Sequence, residues 1–288
     1  KPLAPGNLLF RVGKLSNRQV VFVDEWGVQR KQDQPWFFQW LVGWDVTSWF
    51  RTTFTHTVMA TAREGTLWPD LLQINFPLIG TTWRESDSGP ITDRIFSVQF
   101  EFRWRDAPWP LLPSKAGRLY WDYAGTDFLP SGPGGVIPQI SIPASVAGLE
   151  LVNPGWDLTL EYFGTYHPSA LWYSNGGYVE GYTQDEWLLG HQMGGGARGG
   201  LTMVRLRPAR TSLELGLKVS YTHWKHQSAK LGEAGRRSVG VSVGRDPVNL
   251  NGAMQWTGLL EWAREDNDPQ GSAARHHDWW RASLKLGY

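Results

Sequence analysis

The chain has 288 residues with 28 basic and 27 acidic side chains, a near balance that gives no argument for nucleic acid as a partner. It has no cysteine, which excludes a disulfide scaffold and any thiolate-ligated metal site. Eighteen Trp, nine Tyr and twelve Phe are its unusual feature; such rings gather where a membrane meets water, and they also stack on sugars.

In chain order, Leu8 to Lys14 and Gln19 to Glu25 read as short strands. Pro35 to Val46 puts Trp36, Phe38, Trp40, Val42 and Trp44 on one face. A tight turn near Asp45 to Ser48 leads into Trp49 to Ala60, where Phe50, Phe54, Val58 and Ala60 alternate with Arg51, Thr53, Thr55 and Thr57. Thr61 to Thr92 is mixed, and Leu67-Trp68-Pro69-Asp70-Leu71-Leu72 at its centre suits a short helix with Pro in the first turn. Asp93 to Arg105 alternates cleanly, Asp106 to Lys115 is a Pro-rich connection, and Arg118 to Tyr123 is again a strand. Gly125 to Pro143 reads as a Pro/Gly loop before a strand at Ala144 to Val152, the compact turn Asn153-Pro154-Gly155 and a strand at Trp156 to Phe163. Gly164 to Arg198 is the longest irregular stretch. Further strands are expected at Leu201 to Leu206, Thr211 to His223, Val239 to Val243, Gly252 to Arg264 and Asp278 to Tyr288. In the last, Trp280, Ala282, Leu284, Leu286 and Tyr288 oppose Arg281, Ser283, Lys285 and Gly287.

No run of about 18 apolar residues occurs, so an ordinary transmembrane helix is excluded. The negative mean hydropathy does not exclude a barrel, because each spanning strand is half polar. Counted back from the carboxy terminus, connections alternate long and short, as in an outer-membrane barrel with long outer loops; a soluble sandwich has no reason to keep that parity. The expected architecture is therefore an all-β, transmembrane up-and-down antiparallel β-barrel in one domain over residues 1–288, with about 12 or 13 strands in this sequence. Thirteen strands would imply that an odd number of amino-terminal strands precede it, whereas dropping Leu8 to Lys14 leaves twelve. Lys1-Pro2-Leu3-Ala4 carries no apolar signal region, so a cleaved signal or an incomplete precursor is expected.

Leu160-Glu161-Tyr162 is followed by Trp172-Tyr173-Ser174-Asn175-Gly176-Gly177-Tyr178, then Gly181-Tyr182-Thr183 and Leu189-Gly190-His191-Gln192-Met193-Gly194-Gly195-Gly196-Ala197-Arg198-Gly199. This order resembles the carboxy-terminal part of the Wzi family of capsule assembly proteins, with its LEY strand end, Tyr/Gly loop and Leu-Gly-His-Pro-Leu-Gly-Gly-Asp-x-Arg-like segment. Gln192 stands where Pro is common and Gly196 where an acid is common. The strand pair around Pro35 to Ala60, the insert near Leu67 to Leu78 and the strand opening at Asp93-Arg94 follow the same layout. The resemblance implies an eighteen-stranded barrel in the outer membrane of a Gram-negative bacterium, lectin-like and non-enzymatic, that helps attach capsular or other surface polysaccharide. Five strands and the family's amino-terminal periplasmic helices would then lie outside this sequence.

Candidate polysaccharide contacts are Trp172, Tyr173, Tyr178 and Tyr182 as stacking platforms, with His191, Arg198, Lys225, Arg236 and Arg237 for acidic sugars. Each has a plainer reading as loop packing, lumen plug or solvated loop, and the three glycines Gly194, Gly195 and Gly196 suit a folded-in loop. Trp36, Trp40, Trp44, Trp104, Trp256, Trp262 and Trp280 are expected to face lipid or its boundary. Partners are expected to be outer-membrane lipid, lipopolysaccharide and capsular or exopolysaccharide. No metal, cofactor or enzymatic activity is expected: His276-His277 is too solitary for a metal, and His223, His226 and Ser228 lack a converging partner. A passive porin-like channel and a soluble β-sandwich lectin are the alternatives.

Overall fold

A computed structural model describes residues 6–15, 21–23, 29–31, 34–61, 91–106, 114–131, 137–167, 170–172, 183–184, 187–188, 196–209, 213–225, 233–245, 255–268 and 275–287. Among them the elements are all strands: β1 Asn7–Lys14, β2 Val21–Val23, β3 Gln29–Lys31, β4 Trp36–Asp45, β5 Phe50–Thr61, β6 Ile91–Arg105, β7 Ala116–Ser131, β8 Ile137–Asn153 and β9 Trp156–Gly164, then β10 Tyr166–His167, β11 Ala170–Leu171, β12 Thr183–Gln184, β13 Trp187–Leu188, β14 Ala197–Leu206, β15 Leu213–Lys225, β16 Glu233–Arg245, β17 Gln255–Asp268 and β18 Arg275–Gly287. Twelve of them form one antiparallel sheet in the order β1-β4-β5-β6-β7-β8-β9-β14-β15-β16-β17-β18. The pairs β2–β3, β10–β11 and β12–β13 are small separate hairpins.

Each of these twelve strands pairs with the next of the twelve along the chain, so the sheet runs up and down. The strand ends at Asp45 and Phe50, Arg105 and Ala116, Asn153 and Trp156, Leu206 and Leu213, and Arg245 and Gln255 define one end of the sheet, the turn end. The strand ends at Lys14 and Trp36, Thr61 and Ile91, Ser131 and Ile137, Gly164 and Ala197, Lys225 and Glu233, and Asp268 and Arg275 define the other, the loop end.

Of the twelve or thirteen strands expected, twelve stand in the described sheet. Within the strand expected at Gln19 to Glu25, the described residues Val21–Val23 pair with Gln29–Lys31 outside the twelve-stranded sheet. Leu8 to Lys14 does belong, pairing with Trp36–Gly43 along its length. Among the described residues the sheet holds twelve strands, the even count among those expected.

Gly125 to Pro143 is a second correction, since β7 and β8 pair through it as far as Ser131 and Ile137. Beyond Thr126 and Ser145 the described residues register with no third strand, so among them this part is a two-stranded ribbon. Pro130, Pro138 and Pro143 lack an amide proton, which a free edge tolerates and a central strand does not. β16 and β17 likewise run further toward the loop end than alternation alone indicates, and the loops there are correspondingly shorter. The helix expected at Leu67 to Leu72 lies outside the described residues.

Local chemistry fixes the turns. Thr47 Oγ1 accepts the Phe50 amide at 3.0 Å and the Trp49 amide at 3.3 Å, closing the bend between β4 and β5. Asn153 Oδ1 accepts the Lys115 amide at 3.0 Å, tying the Pro154-Gly155 turn to the next connection.

The register sorts side chains onto two faces, because directly opposed residues share a face and successive residues alternate. One face is apolar across the sheet: Phe10 against Trp40, Val42 against Phe54, Leu149 against Leu160, Leu217 against Val241, Val241 against Leu260 and Trp262 against Trp280. All seven tryptophans expected at lipid or its boundary fall on this face. Trp49, Phe50 and Phe102 group at its turn end, with Phe50 and Phe102 centroids 4.8 Å apart. Many of its large side chains are exposed, Leu217 at 45% and Val241 at 51%. A continuous apolar surface of that kind is foreign to a water-soluble monomer.

The other face is polar. Arg11 donates to Gln39 Oε1, and Gln39 to Thr57 Oγ1, each at 3.4 Å; Ser220 and Ser238 hydroxyls meet at 2.7 Å. Its loop end is covered: Met59, Phe163, Thr165, Ala197 and Thr222 are all buried, and Leu15 and Met59 form a small apolar cluster with Phe37 and Ile95.

Candidate functional site

The polar face carries a ladder of alternating charges. Toward the turn end Asp45 pairs with Arg103 and, at 3.9 Å, with Arg51. Glu101 lies 3.0 Å from Arg103 and 3.6 Å from Arg118, whose guanidinium clasps Glu150 through two bonds of 2.8 and 2.7 Å. Two parallel charged hydrogen bonds of this kind fix orientation as well as energy. The Tyr120 hydroxyl donates to Glu161 at 2.5 Å, and its ring lies across Gly148, leaving no room there for a side chain. On the next strands Asp157, buried at the head of β9, pairs with Arg207 and lies 3.8 Å from Arg205. Arg207 also reaches Glu214 at 3.2 Å; in the turn it occupies, its pKa is raised above the usual guanidinium value, first by the bond to Asp157.

From mid-wall toward the loop end, β16, β17 and β18 bring an aromatic ring into the ladder. Arg281 donates to Glu261 at 2.6 Å, and Arg236 lies 3.9 Å from Glu261 and 3.8 Å from Glu265. The Trp279 indole N–H donates to Glu265 at 3.3 Å, and the Arg236 guanidinium stacks 4.6 Å from the Trp279 ring centre. An aromatic face among carboxylates and guanidinium groups supplies the stacking and hydrogen bonding that a charged sugar needs.

The residues expected to bind polysaccharide are not one cluster. Arg236 and Arg237 are successive in a strand and point to opposite faces, Arg236 to the ladder and Arg237 to the apolar side above the Tyr221 ring at 5.9 Å. Arg198, at the start of β14, is exposed on the apolar side with its guanidinium 5.9 Å from the Tyr166 ring centre. Trp172 is 3% exposed, which favours its reading as a packing residue over an open stacking platform. Lys225 ends β15 opposite Glu233. Tyr173, Tyr178, Tyr182 and His191 lie outside the described residues. Glu261, Glu265 and Trp279 escaped the sequence reading, because only the register places them beside Arg236 and Arg281. Among the described residues no group of three or more His, Asp or Glu side chains is arranged to hold a metal.

Neither a curated protein nor a solved structure matches the chain. The family described as Capsule assembly protein Wzi matches residues 6–278, nearly the whole length. The chain belongs to the Wzi family of capsule assembly proteins.

Proposed function

We propose that the chain forms the wall of a closed outer-membrane barrel that binds capsular or related surface polysaccharide and helps attach it to the cell, without enzymatic chemistry. The family match over residues 6–278 carries this reading, since it supports a role in capsule assembly. The two-faced sheet supports the location: lipid meets the apolar side, the charge ladder lines the lumen, and the turn end faces the periplasm. β1 and β18 run antiparallel at the two ends of the sheet order, as a closed up-and-down wall requires.

The covered loop end of the polar face, around Met59, Phe163, Ala197 and Thr222, supports a lumen plugged by its loops rather than an open porin. The sugar contacts of this reading are Arg236, Glu261, Glu265, Trp279 and Arg281, which run from mid-strand toward the loop end. The test is titration of purified protein with acidic capsular oligosaccharide by calorimetry, alongside planar-bilayer conductance. Saturable binding with little steady current is the expected result. Large steady currents without oligosaccharide binding would favour the channel instead.

A further inference from the structure

The apolar face is not uniform between β9 and β15. Tyr162, Gly200 and Tyr221 stand in register across three strands, and Leu160, Thr202 and Val219 do so one step nearer the turn end. The small central residues leave a groove of about 580 Å³ between the larger side chains. Any side chain at Gly200 would stand between the two tyrosines, and its first carbon would already press on the Glu161 carbonyl.

Directly above this groove, toward the loop end, sit two arginines. Arg198 is the next same-face residue beyond Gly200, and Arg237 is opposite Tyr221. Each guanidinium is backed by a tyrosine ring, and neither has a carboxylate within ion-pair distance among the described residues. Arg264, opposite Arg237, differs: Asp278 holds it through bonds of 3.0 and 3.1 Å, and Asp266 adds to its field. Opposed like charges on neighbouring strands repel, so the Arg237 position is one that an external anion would relieve.

A guanidinium on a lipid-facing wall is costly within hydrocarbon but favourable at the head-group boundary, where phosphate oxygens match its fork. Arg198 and Arg237 are two strands apart, about 10 Å sideways at the usual strand spacing. A glycerophospholipid with one phosphate does not span that separation, whereas a diphosphorylated glycolipid does. We propose that the groove and its two arginines bind the lipid A part of lipopolysaccharide, with phosphates on Arg198 and Arg237 and an acyl chain along Gly200 and Thr202. This rests on the outer-membrane reading, which makes the loop end the outer leaflet.

The test uses the full chain in phosphatidylcholine nanodiscs, titrated with diphosphoryl lipid A, its dephosphorylated form and phosphatidylglycerol. Charged hydrogen bonds of this kind predict a preference of about tenfold or more for the diphosphoryl form. Arg198→Gln with Arg237→Gln is expected to remove that preference, while the polar-face change Lys218→Gln keeps it. Thr202→Phe fills the groove and is expected to weaken both forms of lipid A. Equal binding of the two forms, phosphatidylglycerol binding as tightly as lipid A, or an unchanged preference in the double variant would each overturn the proposal. Insertion without preference overturns this site alone; a chain that never enters the bilayer overturns the barrel reading and this site with it.

Discussion

Val241 on β16 tests which medium meets the apolar face. It lies opposite Leu217 on one side and Leu260 on the other, and it is 51% exposed. Counted from Arg245 at about 3.4 Å per residue and a tilt of about 40°, it lies about 10 Å inside the turn-side end. That depth is near the middle of an apolar band about 25 Å tall. Val241→Arg should therefore cost about 2–4 kcal/mol, the range for a basic residue at the midplane. At about 1.4 kcal/mol per tenfold, the folded-to-unfolded ratio falls roughly 30- to 700-fold. Thr257→Arg on the polar face is the control, with an expected change within about 0.5 kcal/mol, as for ordinary surface substitutions. The assay is reversible guanidinium unfolding from lipid vesicles, followed by tryptophan fluorescence. Equal and small costs at both positions would refute the assignment of the apolar face to lipid.

Three further outcomes follow from the polar face. Gly148→Ala drives a methyl into the Tyr120 ring and breaks its bond to Glu161, costing about 1–3 kcal/mol, whereas Gly258→Ala meets only the Val243 carbonyl at an ordinary contact of 3.8 Å and costs little; the same unfolding assay compares them. Arg207→Ala leaves the buried Asp157 with only the more distant Arg205, at a cost of about 1–3 kcal/mol, and the loss should be smaller in an Asp157→Asn background. Trp279→Ala and Arg236→Gln should each weaken oligosaccharide binding about tenfold while leaving the unfolding midpoint near that of the parent, as measured by calorimetry and denaturant titration.

The wall was legible in the sequence where one face is apolar and the other polar, as at Trp36 to Asp45, Phe50 to Thr61 and Leu213 to Lys225. It was misread where the environment stops enforcing alternation. In the ribbon through Gly125 and Pro143 no third strand registers with the prolines among the described residues, and Val21–Val23 belongs to a small separate hairpin. The candidate site was harder to see, because its members lie on different strands. Arg236 stood out as a charge, but Glu261 and Trp279 join it only through a register that residue spacing does not encode. Nor did the basic cluster show its division: a single-residue step separates Arg236 on the polar face from Arg237 on the apolar side.

The central claim is that this chain helps hold capsule at the cell surface. It is tested most directly by partitioning polysaccharide between washed cells and medium in an encapsulated host, with and without the gene. The account predicts that deletion moves polysaccharide from cells to medium without lowering its total, and that re-expression of the full-length protein returns it. An unchanged cell-bound fraction in the deletion strain would contradict it.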